Sequence, residues 1–207
     1  MADERLSWAT FLGRHWTEQN RVSAGSRVGT FRELLSGLEV NTILEIGCNR
    51  GYNLEAISRI DSYRLVGVDI CRLPLESAKA WNVCQADINH LPFKDKSFDL
   101  VLTVAVLLYF TAEQMLDIVK EVSRVQRRYL LAIEYGLQGK VGGGKVDECY
   151  EGAVRYKPSP SRFWEAFTVW WGRDYSSIFP GLIGKGYLGH KAGFNSSHWW
   201  LFDKESA

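Results

Sequence analysis

The chain reads as an α/β protein: a mostly parallel seven-stranded sheet with helices on both faces, in a single domain. Three observations predict it. Short runs rich in Val, Ile and Leu alternate with segments whose apolar residues lie three and four apart, the patterns of buried parallel strands and of the helices that cover them. Three successive runs carry an acid at or beside their ends, Glu45, Asp69 and Asp87. Finally, 207 residues with 46% hydrophobic content suit one ordinary globular domain, and no repeat or Pro/Ser-rich linker divides the chain.

Residues 1–40 read as a helical cap. Trp8, Phe11, Leu12 and Trp16, then Val28, Phe31, Leu34 and Leu35, are spaced for two helices lying over the mouth of the sheet. The core, 41–135, opens with a strand at TILEIG (42–47) and a helix carrying Leu54, Ile57 and Ile60. RLVGVD (64–69) is the second strand, followed by helical Leu75 and Ala78; NVCQAD (82–87) is the third and FDLVLTVA (98–105) the fourth. Thr111 with Gln114 three residues on forms a capping box, so a helix is expected over 112–125, burying Met115, Ile118, Val119 and Val122. RYLLAIEY (128–135) is the fifth strand. In the remainder, 136–207, GKVGGGK and PSP give residues 136–160 the chemistry of an exposed loop. Residues 161–171 read as an aromatic-rich helix, and SSHWWLFDK (196–204) as a closing strand paired antiparallel with one near 186–194.

Composition narrows the function. The 25 Lys+Arg balance 24 Asp+Glu, so no global positive field draws the chain to nucleic acid or to an anionic membrane. The longest apolar run, Leu100 to Phe110, has 11 residues, against the roughly 20 that span a bilayer. MADERLSW lacks the cationic and apolar regions of a signal peptide, and the expected compartment is the cytoplasm. Cys48, Cys71, Cys84 and Cys149 form no C-x-x-C pair and have no zinc-ligand spacing; they read as free thiols, and no metal is expected.

The strand–helix alternation implies right-handed crossovers and a ligand crevice beyond the carboxyl ends of the strands. There the first strand runs into Gly47-Cys48-Asn49-Arg50-Gly51. Glycine after a strand allows a tight turn and close approach of a ligand. By itself G-x-x-x-G fits a plain turn equally well, and both the full dinucleotide pattern and the P-loop lysine are missing. Asp69 follows Gly51 by 18 residues, where an acid accepts from ribose hydroxyls or caps a helix. Asp87, followed by Ile88, is placed to accept from an exocyclic amine while its apolar neighbour packs on a purine face. A generic sheet has no need of three acids at three successive strand ends.

LEIGCNRG, VGVDI, QADINHLPF and KSFDLVLT resemble the class I S-adenosylmethionine (SAM) methyltransferases over about residues 41–135. The resemblance implies a Rossmann-like fold and SAM as cofactor. Within that class, LEIGCNRGYNLEAI, FDLVLTVAVLLYF, the IEY after the fifth strand, the terminal WWLFDK and the opening WATFLGRHWTEQN are similar to the pseudaminic acid biosynthesis-associated methylases. It further implies that Gly47, Cys48, Asn49 and Gly51 pass the methionine part, Asp69 holds the ribose, Asp87 and Ile88 flank the adenine, and Thr103 and Val104 lie under the sulfonium. Glu45 and Ile70 join this cofactor set, with Trp8, Trp16 and Tyr52 as a lid. Asn49 stands where the wider E-x-G-x-G-x-G pattern has its second glycine, a tolerable change because Asn visits left-handed backbone better than most residues. Residues 137–185 match the group poorly apart from Arg173-Asp174-Tyr175.

Tyr109, Glu134 and His90 follow or end strands and are the candidates to orient an acceptor hydroxyl or take its proton. His90 reads first as a solvent-facing loop residue. No catalytic residue is assigned, because transfer from a sulfonium rests largely on in-line positioning. Trp164, Trp170, Trp171, Trp199 and Trp200 read first as core; exposed beside Arg155, Lys157, Arg162 and Arg173 they would form a platform for a sugar ring or a stacked base. The implied reaction is methyl transfer to a hydroxyl or amine of a small molecule, with a sugar or sugar nucleotide, a glycan precursor, suggested by the resembling group. A nucleic-acid methyltransferase and a non-catalytic module of the same fold stay open, and the sequence leaves the oligomeric state undetermined.

Overall fold

The computed structural model describes residues 8–19, 23–78, 81–136, 145–150, 153–157, 170–189, 194 and 197–206. Helices α1 (Phe11–Gln19) and α2 (Val28–Leu35) precede β1 (Thr42–Ile46), α3 (Tyr52–Ser58), β2 (Arg64–Asp69), α4 (Arg72–Ser77), β3 (Asn82–Gln85) and β4 (Phe98–Val104). Helix α5 (Ala112–Val125) runs straight into β5 (Gln126–Tyr135). Next come β6 (Lys145–Tyr150), β7 (Ala153–Lys157) and β8 (Trp170–Arg173), and the chain ends with β9 (Leu182–Gly189) and β10 (Ser197–Asp203).

The main sheet has seven strands in the order β3-β2-β1-β4-β5-β10-β9. Strands β1 to β5 are mutually parallel, while β10 runs antiparallel to both β5 and β9. Order reverses between β1 and β4, so the crevice beyond their carboxyl ends is the expected ligand position in such a sheet. Both faces are covered, which is why the strands read as nearly continuous apolar runs. Successive residues point to opposite faces. Ile43, Leu100, Leu102, Leu131 and Ile133 pack with Phe31 of α2 and Leu54 and Ile57 of α3; Leu44, Val101, Leu130 and Ala132 pack with Ile118 and Val122 of α5.

Local chemistry fixes the ends. Thr111 Oγ1 accepts from the Gln114 N–H at 3.4 Å and Gln114 Oε1 accepts from the Thr111 N–H at 2.8 Å, the reciprocal cap expected from the sequence. Asp99 accepts from the N–H groups of Asn41 and Thr42 and from the Thr42 hydroxyl, pinning the start of β1 to β4.

Three expectations change after β5. Residues 136–160 are not one exposed loop: they include β6 and β7, which join β8 in a separate antiparallel sheet ordered β6-β7-β8. The glycines and prolines of this stretch obscured the strand-compatible KVDECY and AVRYK between them. Trp170 and Trp171 lie in β8 rather than in a helix, and the rest of the expected helix, 161–169, falls outside the described residues. The partner of the closing strand is β9, beginning at Leu182 rather than near residue 186. Trp200 is buried, with its Nε1 donating to Asp174 Oδ1 at 3.1 Å. Arg173 is buried too, so neither contributes to an exposed aromatic and basic platform.

Candidate functional site

Beyond the carboxyl ends of β1, β2 and β4 lies a cavity of about 1240 Å³, its open mouth included. The turn after β1 forms its floor. Gly47 and Cys48 both donate their N–H to Val68 O, at 2.8 and 2.9 Å, and the Gly51 N–H returns to Cys48 O at 2.8 Å. Three residues of the turn have left-handed backbone: Gly47 (φ 74°), Asn49 (φ 46°) and Gly51 (φ 78°). Asn49 thus adopts the conformation that its residue type tolerates. At Gly47 a side chain has no room, since a Cβ there would lie 2.3 Å from Val106 Cγ2.

Asp69, at the end of β2, organises this floor. Its Oδ2 accepts from the Asn49 N–H at 2.9 Å and its Oδ1 from the Cys71 N–H at 2.8 Å. Burial raises its pKa and these two amides lower it, with burial dominant. Asn49 also ties the floor to the N-terminal helix: its Nδ2 donates to Thr17 Oγ1 at 3.0 Å, and Thr17 Oγ1 donates to Gly13 O at 2.7 Å. Asp87 lies after β3, with Oδ1 accepting from the backbone and side-chain nitrogens of Asn89 at 2.9 and 2.8 Å.

Among the residues expected to bind a cofactor, Gly47, Cys48, Asn49, Asp69, Ile70, Asp87, Ile88, Val104 and Trp16 line this one cavity. So do Trp8 and Tyr52. Glu45, Gly51 and Thr103 do not. Glu45 is 1% exposed beneath the floor, its Oε1 accepting from Asn53 Nδ2 at 2.5 Å; burial, opposed chiefly by that hydrogen bond, raises its pKa to about 8. Gly51 is the N-cap of α3, and a Cβ there would come within 2.8 Å of Trp81 Cδ1. Thr103 is fully buried within β4.

The three acid–base candidates separate. Tyr109 lines the cavity with its ring 4.3 Å from that of Trp8, centroid to centroid, and burial raises its phenol well above the ordinary value. Glu134 is fully buried off the cavity lining, both oxygens accepting from the Val106 N–H at 3.1 and 3.0 Å, and burial brings its pKa to about 7. Its carboxylate therefore anchors the turn after β4 instead of facing an acceptor. Arg173 holds the other end of that turn, donating to the carbonyls of Leu107 and Phe110. His90 is exposed and off the lining; its N–H returns to Asp87 O at 2.9 Å.

Sequence reasoning missed Arg27, Asn53, Val106, Phe110 and Gln114, all of which line the cavity. Arg27 is 8% exposed and donates from Nη1 to Asn53 Oδ1 at 2.5 Å. Its guanidinium carbon lies 4.4 Å from the centroid of the Phe194 ring. Nothing in AGSRVG marks it, because its significance comes from a fold that buries it against α3. Val106 and Phe110 flank a 3-10 turn, Leu107–Tyr109, that the sequence presents only as more apolar residues.

Strand order, crevice and acidic strand ends together define the class I methyltransferase fold. Residues 44–129 match a family model described as a methyltransferase domain. A human protein named "Probable tRNA methyltransferase 9B" is 33% identical over 87 residues, covering 40% of this chain and 18% of its own length. The matched region is thus less than a fifth of that relative. Among solved structures, a SAM-dependent methyltransferase from Methanosarcina mazei is similar with TM-score 0.58 and 19% identity, covering 80% of this chain and 93% of that one. The 1,6-didemethyltoxoflavin-N1-methyltransferase of Burkholderia thailandensis, solved with 1,6-didemethyltoxoflavin and S-adenosylhomocysteine, is similar with TM-score 0.64 and 12% identity, covering 97% and 85%.

The residues present fit SAM. Asp69 and Asp87 offer carboxylates to the donors of an adenosine, and Ile70, Ala86 and Ile88 supply apolar wall around it. Among the described residues no cluster suited to a metal ion occurs, Cys48, Cys71 and Cys84 are free, and no helix is long and apolar enough to cross a membrane.

Proposed function

We propose that the chain transfers a methyl group from SAM to a hydroxyl or amine of a small molecule. One observation carries this reading: a single cavity joins an acidic end, Asp69 and Asp87, to an aromatic end formed by Trp8, Trp16, Tyr109 and Phe110. When bound, the cofactor supplies an electrophilic methyl carbon on a sulfonium.

The chain supplies position and dryness. Asp69 and Asp87 hold one end of the cavity's occupant, Trp8 and Trp16 shield it from water, and the clamped turn after β4 keeps Tyr109 in place. Held by Asp69 and Asp87, SAM would supply the methyl group and leave as the neutral sulfide S-adenosylhomocysteine. Tyr109 stays protonated at neutral pH, so it orients the acceptor as a hydrogen-bond donor. An amine acceptor attacks in its neutral form, and the proton released from the methylated amine or hydroxyl passes to solvent. In-line alignment supplies the rate, in keeping with the large effective concentrations that orientation alone provides.

Aromatic ring faces suit the apolar face of a sugar, and this supports a sugar or sugar nucleotide of the kind implied by the resembling glycan-pathway group. Free Cys48, Cys71 and Cys84 fit a reducing compartment, and we place the chain in the cytoplasm. A nucleic-acid acceptor is the second reading, favoured by the tRNA methyltransferase similarity and opposed by a net charge of only +1.

Calorimetry with S-adenosylhomocysteine tests the cofactor step. Folded wild-type protein should bind in the micromolar range, about −8 kcal/mol, and Asp69→Ala should bind at least about 30-fold more weakly, having lost charge-assisted acceptors. Absence of binding to the folded wild type would overturn the reading. Binding of RNA that weakens steeply with salt would shift the acceptor to nucleic acid.

A further inference from the structure

Helix α1 packs on the cavity at two points, and both lead to the same carboxylate. Gly13 is pressed against Cys71: a Cβ on Gly13 would lie 2.7 Å from Cys71 Cβ and 2.9 Å from Cys71 Sγ. One turn on, Thr17 is 1% exposed, its Oγ1 accepting from Asn49 Nδ2 at 3.0 Å and donating to Gly13 O at 2.7 Å. Asp69 in turn accepts from the N–H groups of these same two partners, Cys71 at 2.8 Å on Oδ1 and Asn49 at 2.9 Å on Oδ2. Each Asp69 oxygen is therefore set by a backbone segment against which α1 is docked.

Asn49 is the unusual member. Its backbone is left-handed, φ 46°, a conformation that glycine adopts at less cost. What asparagine adds is an amide with both ends in use: Oδ1 accepts from the Arg50 N–H at 2.9 Å, and Nδ2 reaches Thr17, 32 residues earlier in the chain. The start of the same segment reaches the aromatic end of the cavity. The Trp8 ring, just before α1, lies 4.3 Å from that of Tyr109 and 6.4 Å, edge to face, from that of Trp16. Helix α1 has only 9 residues, fewer than the roughly 12–15 at which an isolated helix becomes even marginally stable. Its docking contacts therefore decide where Trp8 stands.

We propose that Asn49 and Thr17 form a latch that docks α1 and so couples the Asp69 end of the cavity to the aromatic end where Trp8 meets Tyr109. Both act as positioning residues: the aromatic wall facing the acceptor is complete only when α1 is fastened to the turn that shapes the other end. By linkage, ligand binding at the Asp69 end and ordering of the aromatic end favour one another. That functional consequence rests on reading this cavity as the SAM site.

Thr17 lies off the cavity lining, so Thr17→Val removes the hydroxyl without touching a ligand. Thr17→Ser restores it, and Asn49→Gly removes the amide while keeping a left-handed turn. Trp8 is followed by fluorine NMR of protein labelled with 5-fluorotryptophan, its line assigned through Trp8→Phe. Affinity for S-adenosylhomocysteine is measured by calorimetry, with folding confirmed by circular dichroism. Without ligand, the Trp8 line should move toward its unfolded position in Thr17→Val and in Asn49→Gly, and return in Thr17→Ser. Affinity should fall about 10-fold in Thr17→Val, as expected for an amide left without its buried partner. In the Asn49→Gly background the same substitution should change affinity about threefold or less, because the latch is already open. An unmoved Trp8 line in the folded variants overturns the proposal, as does an equal loss of affinity from Thr17→Val with and without Asn49. Asn49→Gly carries the Trp8 measurement if Thr17→Val fails to fold. Failure of folded wild type to bind S-adenosylhomocysteine removes the cofactor reading itself, whereas the Trp8 line, recorded without ligand, still decides the latch.

Discussion

Replacing Gly47 by Ala tests how the floor of the cavity is built. Gly47 has φ 74°, and an L side chain in the left-handed region costs about 1–2 kcal/mol. The added Cβ would also lie 2.3 Å from Cγ2 of Val106, 3.5 Å from its Cβ and 3.6 Å from its Cγ1. Carbons in contact sit about 3.5–4.0 Å apart, so the methyl must gain more than about 1 Å, and overpacking of this kind costs about 1–3 kcal/mol. Gly47→Ala should therefore lose roughly 2–5 kcal/mol in urea denaturation. Val106 cannot yield freely, because Glu134 holds its N–H. Val106→Ala removes the clashing Cγ2 and leaves the contact at 3.5 Å, so the double variant should recover the overlap cost while keeping the backbone cost. The coupling energy in the double-mutant cycle should be about 1–3 kcal/mol in favour of the double variant. S-adenosylhomocysteine affinity should fall in Gly47→Ala and largely return in the double variant, since both residues line the cavity. Strict additivity of the two stability changes would refute the reasoning.

Substitutions at two further positions probe burial and capping. Because burial raises Glu45 to about 8, its protonated form is the one the fold favours; this stability is fully present below the unfolded carboxylate's pKa of about 4.3 and is lost as pH rises through about 8. Glu45→Gln should reduce the stability lost between pH 5 and pH 9 in urea titrations, and equal losses in variant and wild type would show that Glu45 does not titrate in that window. Thr111→Ala should cost about 1 kcal/mol by removing a reciprocal cap, whereas Thr111→Ser should keep most of it. Urea midpoints of the three proteins decide the matter, and an unchanged Thr111→Ala would mean that the first turn of α5 is held by packing alone.

Much of the core was legible because its signals are local. A parallel strand covered on both faces must be apolar at nearly every position, and Thr42–Ile46, Arg64–Asp69 and Phe98–Val104 announce themselves that way. The 112–125 helix was bounded correctly because its cap is written in four consecutive residues. Asp69 and Asp87 were legible as strand-end acids that meet at one cavity, because the ends of parallel strands converge on one edge of the sheet. The chain after β5 was harder. Its three-stranded sheet joins residues far apart in sequence, Ala153 facing Arg173 across β7 and β8, and no local period encodes such a pairing.

The candidate site divides along the same line. Gly47, Asn49 and Asp69 were identifiable from their positions beside strands, since the backbone there must turn or end and the residue types record it. The different fates of Glu45, Glu134 and Tyr109 were not. Glu45 and Glu134 end strands as Asp69 does, yet one lies beneath the floor bonded to Asn53 and the other anchors the Val106 N–H. Which way a strand-end carboxylate faces depends on what packs over it. Arg27 is the clearest case, for only the docking of its turn against α3 and Phe194 makes an ordinary surface-type residue a buried cation in the cavity wall. The sequence by itself determined the alternating elements and the acids at their ends, which follow from short-range burial patterns. Tertiary packing set which of those groups line the cavity, because that depends on non-local contacts and on which hydrogen-bond partners remain available.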